Sequence, residues 1–360
     1  MKKTTIKVID LFCGIGGLSH GFVKEGFDVV AGIDNEASCK YPYEENNNAQ
    51  FISKDIREVE SEEINQLFGD ANIRILVGCA PCQPFSSYAF KSPDHSEEDA
   101  KKSKWGLLYE FARLIEATKP EIISMENVPG LAKFDKADVF KGFLEILEQN
   151  KYFPPAYKII ECQKYGIPQQ RKRLVLLASR LGHIDIIAET HTSPKNYVTV
   201  KDTIGHLEPI KSGEISIKDS LHRAAKLSDK NIMRIQQSKQ GGTWKDWNEN
   251  LVLDCHKKDS GKTYGSVYGR MSWDSPAPTM TTFCTGIGNG RFGHPEQDRA
   301  ISLREAALLQ TFPESYKFAE NAQKTSMTKL STFIGNAVPV DLGRVIAKSI
   351  KFHLEDYDND

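Results

Sequence analysis

Short apolar runs alternate with amphipathic stretches through the first half of the chain. Ile6-Lys7-Val8-Ile9-Asp10-Leu11-Phe12 reads as a strand, a glycine-rich turn follows, and a helix begins near Leu18. Asp28-Val29-Val30-Ala31-Gly32-Ile33 reads as a second strand that ends on Asp34. Ile73–Val77 has the length and composition of a buried strand, and the pattern then predicts a helix across Leu107–Ala117 and a strand over Ile122–Met125. A helix over Val139–Gln149 and strands near Tyr157–Glu161 and Leu174–Ala178 continue the series. This alternation predicts an α/β fold with a doubly wound, mostly parallel sheet. Residues 183–290 break the rhythm: they are rich in Gly, Ser, Thr, Trp and Lys, with loops such as Lys239-Gln240-Gly241-Gly242-Thr243-Trp244. Helical patterns resume at Leu303–Gln310 and Leu342–His353. The expected organisation is one domain of residues 1–184 plus 325–360 and a smaller, loop-rich domain of residues 185–324.

Composition narrows the class. A chain of 360 residues holds one large and one smaller core. With 47 Lys+Arg against 48 Asp+Glu, charge neither demands nor excludes a polyanionic partner, and residues 180–290 are the only net basic portion, at 15 against 12. No apolar run approaches the ~20 residues that span a membrane. The start, Met1-Lys2-Lys3-Thr4-Thr5, lacks the apolar core of a signal peptide, and seven cysteines fit free thiols in a reducing cytoplasm.

The candidate chemistry sits at strand ends. Cys82 lies in Gly78-Cys79-Ala80-Pro81-Cys82-Gln83-Pro84, on the loop leaving the strand Ile73–Val77. Open α/β sheets place ligands at that carboxyl edge, and the flanking prolines display the cysteine rather than pack it. Glu126 follows the strand Ile122–Met125 and shares this edge. Arg171 and Arg173, in Gln169-Gln170-Arg171-Lys172-Arg173, alternate by two and so share one face. Cys79 and Cys82 form a C-x-x-C, but no second pair of cysteines or histidines completes a zinc set. At the first strand, Asp10-Leu11-Phe12-Cys13-Gly14-Ile15-Gly16-Gly17 lacks the third glycine of the dinucleotide fingerprint, because position 19 is Ser. Asp34 stands where a carboxylate can hold ribose hydroxyls, and Asp55-Ile56 follows at a similar interval to meet an adenine. The set suits a nucleoside cofactor without a phosphate bridge, for which S-adenosylmethionine is the candidate.

A thiolate, a carboxyl group and an arginine beside that cofactor suggest methylation of an unreactive ring carbon. Cytosine C5 becomes nucleophilic once a thiolate adds at C6, and proton donation to N3 favours the addition. At this point the chain resembles the cytosine-C5 DNA methyltransferases. The segments that carry the resemblance are DLFCGIGG at 10–17, Asp34, PCQPFS at 81–86, ENV at 126–128, QQRKR at 169–173, the stretch Ile301–Pro313 and Gly335–Val340, in family order.

The resemblance implies that Cys82 is the nucleophile, that Glu126 is the acid at N3, and that Arg171 and Arg173 organise the base. It implies a cofactor site lined by Phe12, Gly14, Ile15, Gly17, Asp34, Asp55, Ile56, Leu107 and Asn336. Asp34 is a Glu in many members, which shortens the reach to ribose, and Asn35 stands where some carry a bulky residue. Residues 83–104 are expected to form a lid over bound DNA, and 185–290 to read the target sequence. Lys239, Arg270, Trp244 and Trp247 are candidates there for phosphate or base contacts, though each serves equally as a surface or core residue. The expected partner is double-stranded DNA containing a short specific sequence, with the cytosine flipped out of the stack. A monomer in a bacterial or phage-infected cytoplasm, paired in function with a restriction endonuclease, completes the picture. A tRNA-modifying member and a catalytically silent DNA-binding relative are the alternatives.

Overall fold

The computed structural model describes residues 4–81, 106–133 and 139–357. Its contacts divide the chain into two compact units: Met1–Glu161 with Lys172–Glu189 and Val340–Asp360, and Cys162–Arg171 with Thr190–Pro339.

The first unit is built on a seven-stranded sheet. Its strands are β1 (Ile6–Leu11), β2 (Asp28–Asp34), β3 (Gln50–Ser53), β4 (Ile73–Gly78), β5 (Ile122–Asn127), β6 (Ala156–Glu161) and β7 (Lys172–Ser179), in the order β3-β2-β1-β4-β5-β7-β6. The first five are parallel, and β7 runs antiparallel to both β5 and β6. This is the expected mostly parallel sheet. Every residue of β5 is buried, as a strand covered on both faces requires. Period 2 sends Ile9 and Leu11 of β1 into one core with Ile64, Phe68, Phe111 and Phe143. These aromatic and aliphatic groups come from the helices α3 (Ser61–Phe68), α4 (Gly106–Thr118) and α5 (Val139–Gln149), each amphipathic at helical spacing. β3 escaped the sequence pattern because four residues with two apolar side chains carry too little periodicity.

On the opposite face, α1 (Gly17–Lys24) packs on α6 (Val340–Tyr357). Two glycines permit the crossing. A Cβ on Gly21 would lie 2.5 Å from the backbone carbon of Gly343, and one on Gly343 would lie 2.8 Å from the Leu18 carbonyl oxygen. Arg344 adds a 2.7 Å ion pair to Glu25 across the same contact.

The second unit uses short elements held by buried polar groups. Arg299 is fully buried and grips both oxygens of Glu305 at 2.7 Å. Glu305 also closes a capping box with Ser302 at the start of the helix Leu303–Leu309. The side-chain amide of Gln169 donates to the Leu309 carbonyl and to Gln310, and Gln310 donates to the carbonyls of Ile334 and Ala337. Gln169–Gln170 also pairs with Ala277–Pro278. These bonds explain why residues 162–171 and 325–339 pack in this unit, whereas the pattern of elements along the chain groups them with the first domain.

The glycine crossing is open to test. Gly343→Val is expected to destabilise the first unit by about 1–3 kcal/mol in chemical denaturation, because backbone atoms cannot yield to it. Gly142→Ala in α5, where an added Cβ meets nothing within 4 Å, should be neutral or slightly stabilising. Equal effects at both positions would show that the crossing is not tight.

Candidate active site

Sheet register lines up the carboxyl edge. Leu11 is opposite Ile33 on β2 and Gly78 on β4, and Gly78 is opposite Met125 on β5. The next residues of these four strands are Phe12, Asp34, Cys79 and Glu126. They leave one level of the sheet side by side, although they are far apart in sequence.

At the β1–β2 end, the turn after Leu11 bends through Phe12 (φ 61°), Gly14 (φ 51°) and Gly16 (φ 90°). A non-glycine residue at such a φ is uncommon and marks a constrained turn. Gly14 donates its N–H to Asp34 Oδ2 at 2.9 Å, and Glu36 donates its N–H to Asp34 Oδ1 at 2.9 Å. Burial nevertheless raises the Asp34 pKa, outweighing these two backbone donors. Space beside Gly14 is open, since a Cβ placed there would meet nothing within 4 Å. Phe12 and Leu107 are partly buried against the core that includes Ile56, while Ile15 and Gly17 are buried. Asp55 caps the short turn Ile56–Glu58 through the Arg57 N–H at 3.0 Å and pairs with the Arg57 guanidinium at 3.1 Å. Beneath the turn, Asp10 accepts a 2.6 Å bond from Ser19, while its other oxygen is buried without a hydrogen-bond partner. Burial pushes the Asp10 carboxyl up to about 7.

At the β4–β5 end, Glu126 is 2% exposed. Arg173 Nε stands 2.9 Å from its Oε1 as an ion pair, although that oxygen has no hydrogen bond of its own. The strand register explains the meeting. β7 runs antiparallel with Glu126 opposite Val175 and Asn127 opposite Leu174, so the start of β7 arrives at the end of β5. The Cys79 thiol donates to Glu126 Oε2 at 2.7 Å. The segment after β4 is tied on both sides: Cys79 donates its N–H to the Leu11 carbonyl at 3.3 Å, and the Asn127 amide donates to the Ala80 carbonyl at 3.3 Å. Cys82 and the expected lid, 83–104, lie outside the described residues.

Arg171 and Asn336 belong to the second unit. Arg171 is buried and donates to the Met280 carbonyl at 3.4 Å, so the two arginines of QQRKR serve different surroundings. Asn336 is exposed at the end of the helix Met327–Asn336. Three of the candidate DNA contacts are core residues instead. Arg270 donates to the carbonyls of Ile235, Ser238, His294 and Gln297 and pairs with Asp298. Trp244 stacks on His256 at 4.6 Å and donates to the Tyr264 carbonyl, and Trp247 donates to Ser238. Lys239 alone of the four is exposed. The pattern did not single out Asp10 or Asn127, whose only sequence signal is that each falls within a segment quoted for another residue, and it raised Cys79 only as half of a C-x-x-C.

Comparison with known proteins decides the family. The sequence model of C-5 cytosine-specific DNA methylases matches residues 6–352. The chain belongs to that family. It is a DNA cytosine-C5 methyltransferase that uses S-adenosylmethionine. The chain is 58% identical over 348 residues to the Type II methylase M.HgiDII of Herpetosiphon aurantiacus, covering 97% of this chain and 96% of that one. It is 31% identical to the Type II methyltransferase M.PspPI of Psychrobacter sp. (strain TA137), over 95% of this chain and 78% of that one. The fold matches a putative DNA modification methyltransferase encoded within an Escherichia coli prophage, with a TM-score of 0.67 at 22% identity over 98% of this chain and all of that one. Among the described residues, no helix is long and apolar enough to cross a membrane. The first-unit residues fit the cofactor: open space beside Gly14, one carboxylate at Asp34 and apolar side chains at Phe12 and Ile56 suit a nucleoside.

For this methyltransferase the state of Asp10 gives a pH prediction. Its pKa rises from 3.8 to about 7 on folding. The carboxyl therefore contributes stability that is complete below about pH 4 and is lost as pH climbs through about 7. Asp10→Asn cannot titrate. Its stability in urea relative to wild type should increase between about pH 4 and 7 and level off above that range. A difference independent of pH would remove this role for Asp10.

Proposed function

We propose that the enzyme methylates C5 of a cytosine flipped out of a specific short duplex sequence, through a covalent bond from Cys82 to C6. The observation that supports this reading best is the Glu126 carboxyl, buried against Arg173 at the sheet edge from which the segment leading to Cys82 departs. Cys82 adds as the thiolate to C6, and the electron pair of the C5–C6 double bond becomes available at C5 while Glu126 supplies the proton at N3. Arg173 then faces the carboxylate left on Glu126 and stabilises it. S-adenosylmethionine, when bound, supplies an electrophilic methyl group. Loss of the C5 proton to solvent re-forms the double bond and expels Cys82 as the thiolate, and N3 returns its proton to Glu126. Phe12, Gly14, Ile15, Gly17, Asp34, Asp55, Ile56, Leu107 and Asn336 hold the cofactor. Arg171 and Arg173 organise the base.

Residues 185–290 read the sequence, with Lys239 on phosphate, and the enzyme acts as a cytoplasmic monomer paired with a restriction endonuclease. Similarity to two Type II enzymes favours this duplex-DNA role over tRNA modification. Exchanging 185–290 for the corresponding segment of another family member should move the methylated sequence and leave the chemistry unchanged. Bisulfite mapping in a host without cytosine methylation reads the outcome, and retention of the original target would defeat the assignment.

Covalent trapping tests the chemistry. Fluorine at C5 cannot leave as a cation, so duplex DNA with 5-fluorocytosine at the target should stay attached through a denaturing gel. The adduct should carry the methyl group and map to the peptide containing Cys82. Cys82→Ser should abolish it, and Glu126→Gln should slow it because an amide has no proton to give N3. A full-strength adduct with Cys82→Ser would assign the wrong nucleophile.

A further inference from the structure

Among the described residues Glu126 is held by two groups, and only one of them belongs to the machinery described above. The other is Cys79. It is the first residue past β4 on the row that also delivers Glu126, and its thiol donates to Oε2 at 2.7 Å. Backbone bonds leave it little freedom: its N–H is bound to the Leu11 carbonyl, and the next carbonyl, of Ala80, is bound to Asn127. Oε1 faces Arg173 but accepts no hydrogen bond, so it is the oxygen left for the base. Among the described residues, the charged or titratable side chains in contact with this carboxyl are Arg173 from β7 and Cys79 from the end of β4.

We infer that Cys79 is a positioning residue for proton transfer: its thiol fixes the plane of the Glu126 carboxyl and stabilises the carboxylate that remains after N3 is protonated. The inference rests on the role of Glu126 proposed above. A donor to a carboxylate favours the charged form, so a stronger donor better stabilises the carboxylate left after proton transfer. A hydroxyl donates more strongly than a thiol, and a methyl group does not donate at all.

The test is a graded series at position 79, read as the single-turnover methylation rate with saturating DNA and S-adenosylmethionine, beside DNA affinity. Cys79→Ala removes the donor, so the rate should drop by about tenfold with DNA affinity unchanged. Cys79→Ser restores a donor at the same place and should recover the rate. Equal rates for all three, or equal losses in Ala and Ser, would overturn the inference, because the hydrogen bond from the thiol would then contribute nothing. Glu126→Gln separates the two levels. If that variant keeps full activity, the role of Glu126 fails and the inference with it. If it is slow while the position-79 rates are equal, only the part played by Cys79 fails.

Discussion

The register of the sheet is the constraint on which the site depends. Ile33, Leu11, Gly78 and Met125 form one row across four parallel strands, so Asp34, Phe12, Cys79 and Glu126 emerge together. Side chains alternate faces with a period of two, so a slip of one residue on any strand would turn its contribution into the sheet's opposite face. Buried apolar side chains on both faces of β4 and β5 resist that slip. Hydrophobic packing thereby sets the positions of groups that are themselves polar.

The antiparallel β7 adds what a purely parallel sheet cannot. A parallel neighbour of β5 would bring its own carboxyl end to Glu126. β7 brings its beginning instead, and with it Arg173. A carboxylate 2% exposed to solvent is costly unless paired, and removing one partner of such a pair typically costs about 3–5 kcal/mol. Stability and chemistry therefore make the same demand at this position.

The second unit solves a different problem. Its elements are short, and several buried polar side chains bind backbone carbonyls that no ladder satisfies. Arg270 spans four carbonyls, and Gln169 with Gln310 joins segments more than a hundred residues apart in sequence. This explains why tryptophans and an arginine in a loop-rich stretch are core residues: with little regular structure to bury backbone groups, long polar side chains take that task.

Much of the architecture was legible in the order of residues. Apolar runs predicted β1, β2, β4, β5, β6 and β7 and the helices α4 and α5, because strand and helix periodicities are local properties. The strand-end positions of Asp34, Glu126 and Arg173 were equally legible, since each closes or opens an apolar run. The partners were not. That Arg173 faces Glu126 while Arg171 turns to Met280, that Cys79 reaches Glu126, and that Arg270 is a core residue are facts of register and packing between distant segments. Sequence determines which side chains a strand carries and which face each takes. Only the tertiary structure decides what stands opposite, because that depends on how strands from separate parts of the chain align to bury their apolar faces.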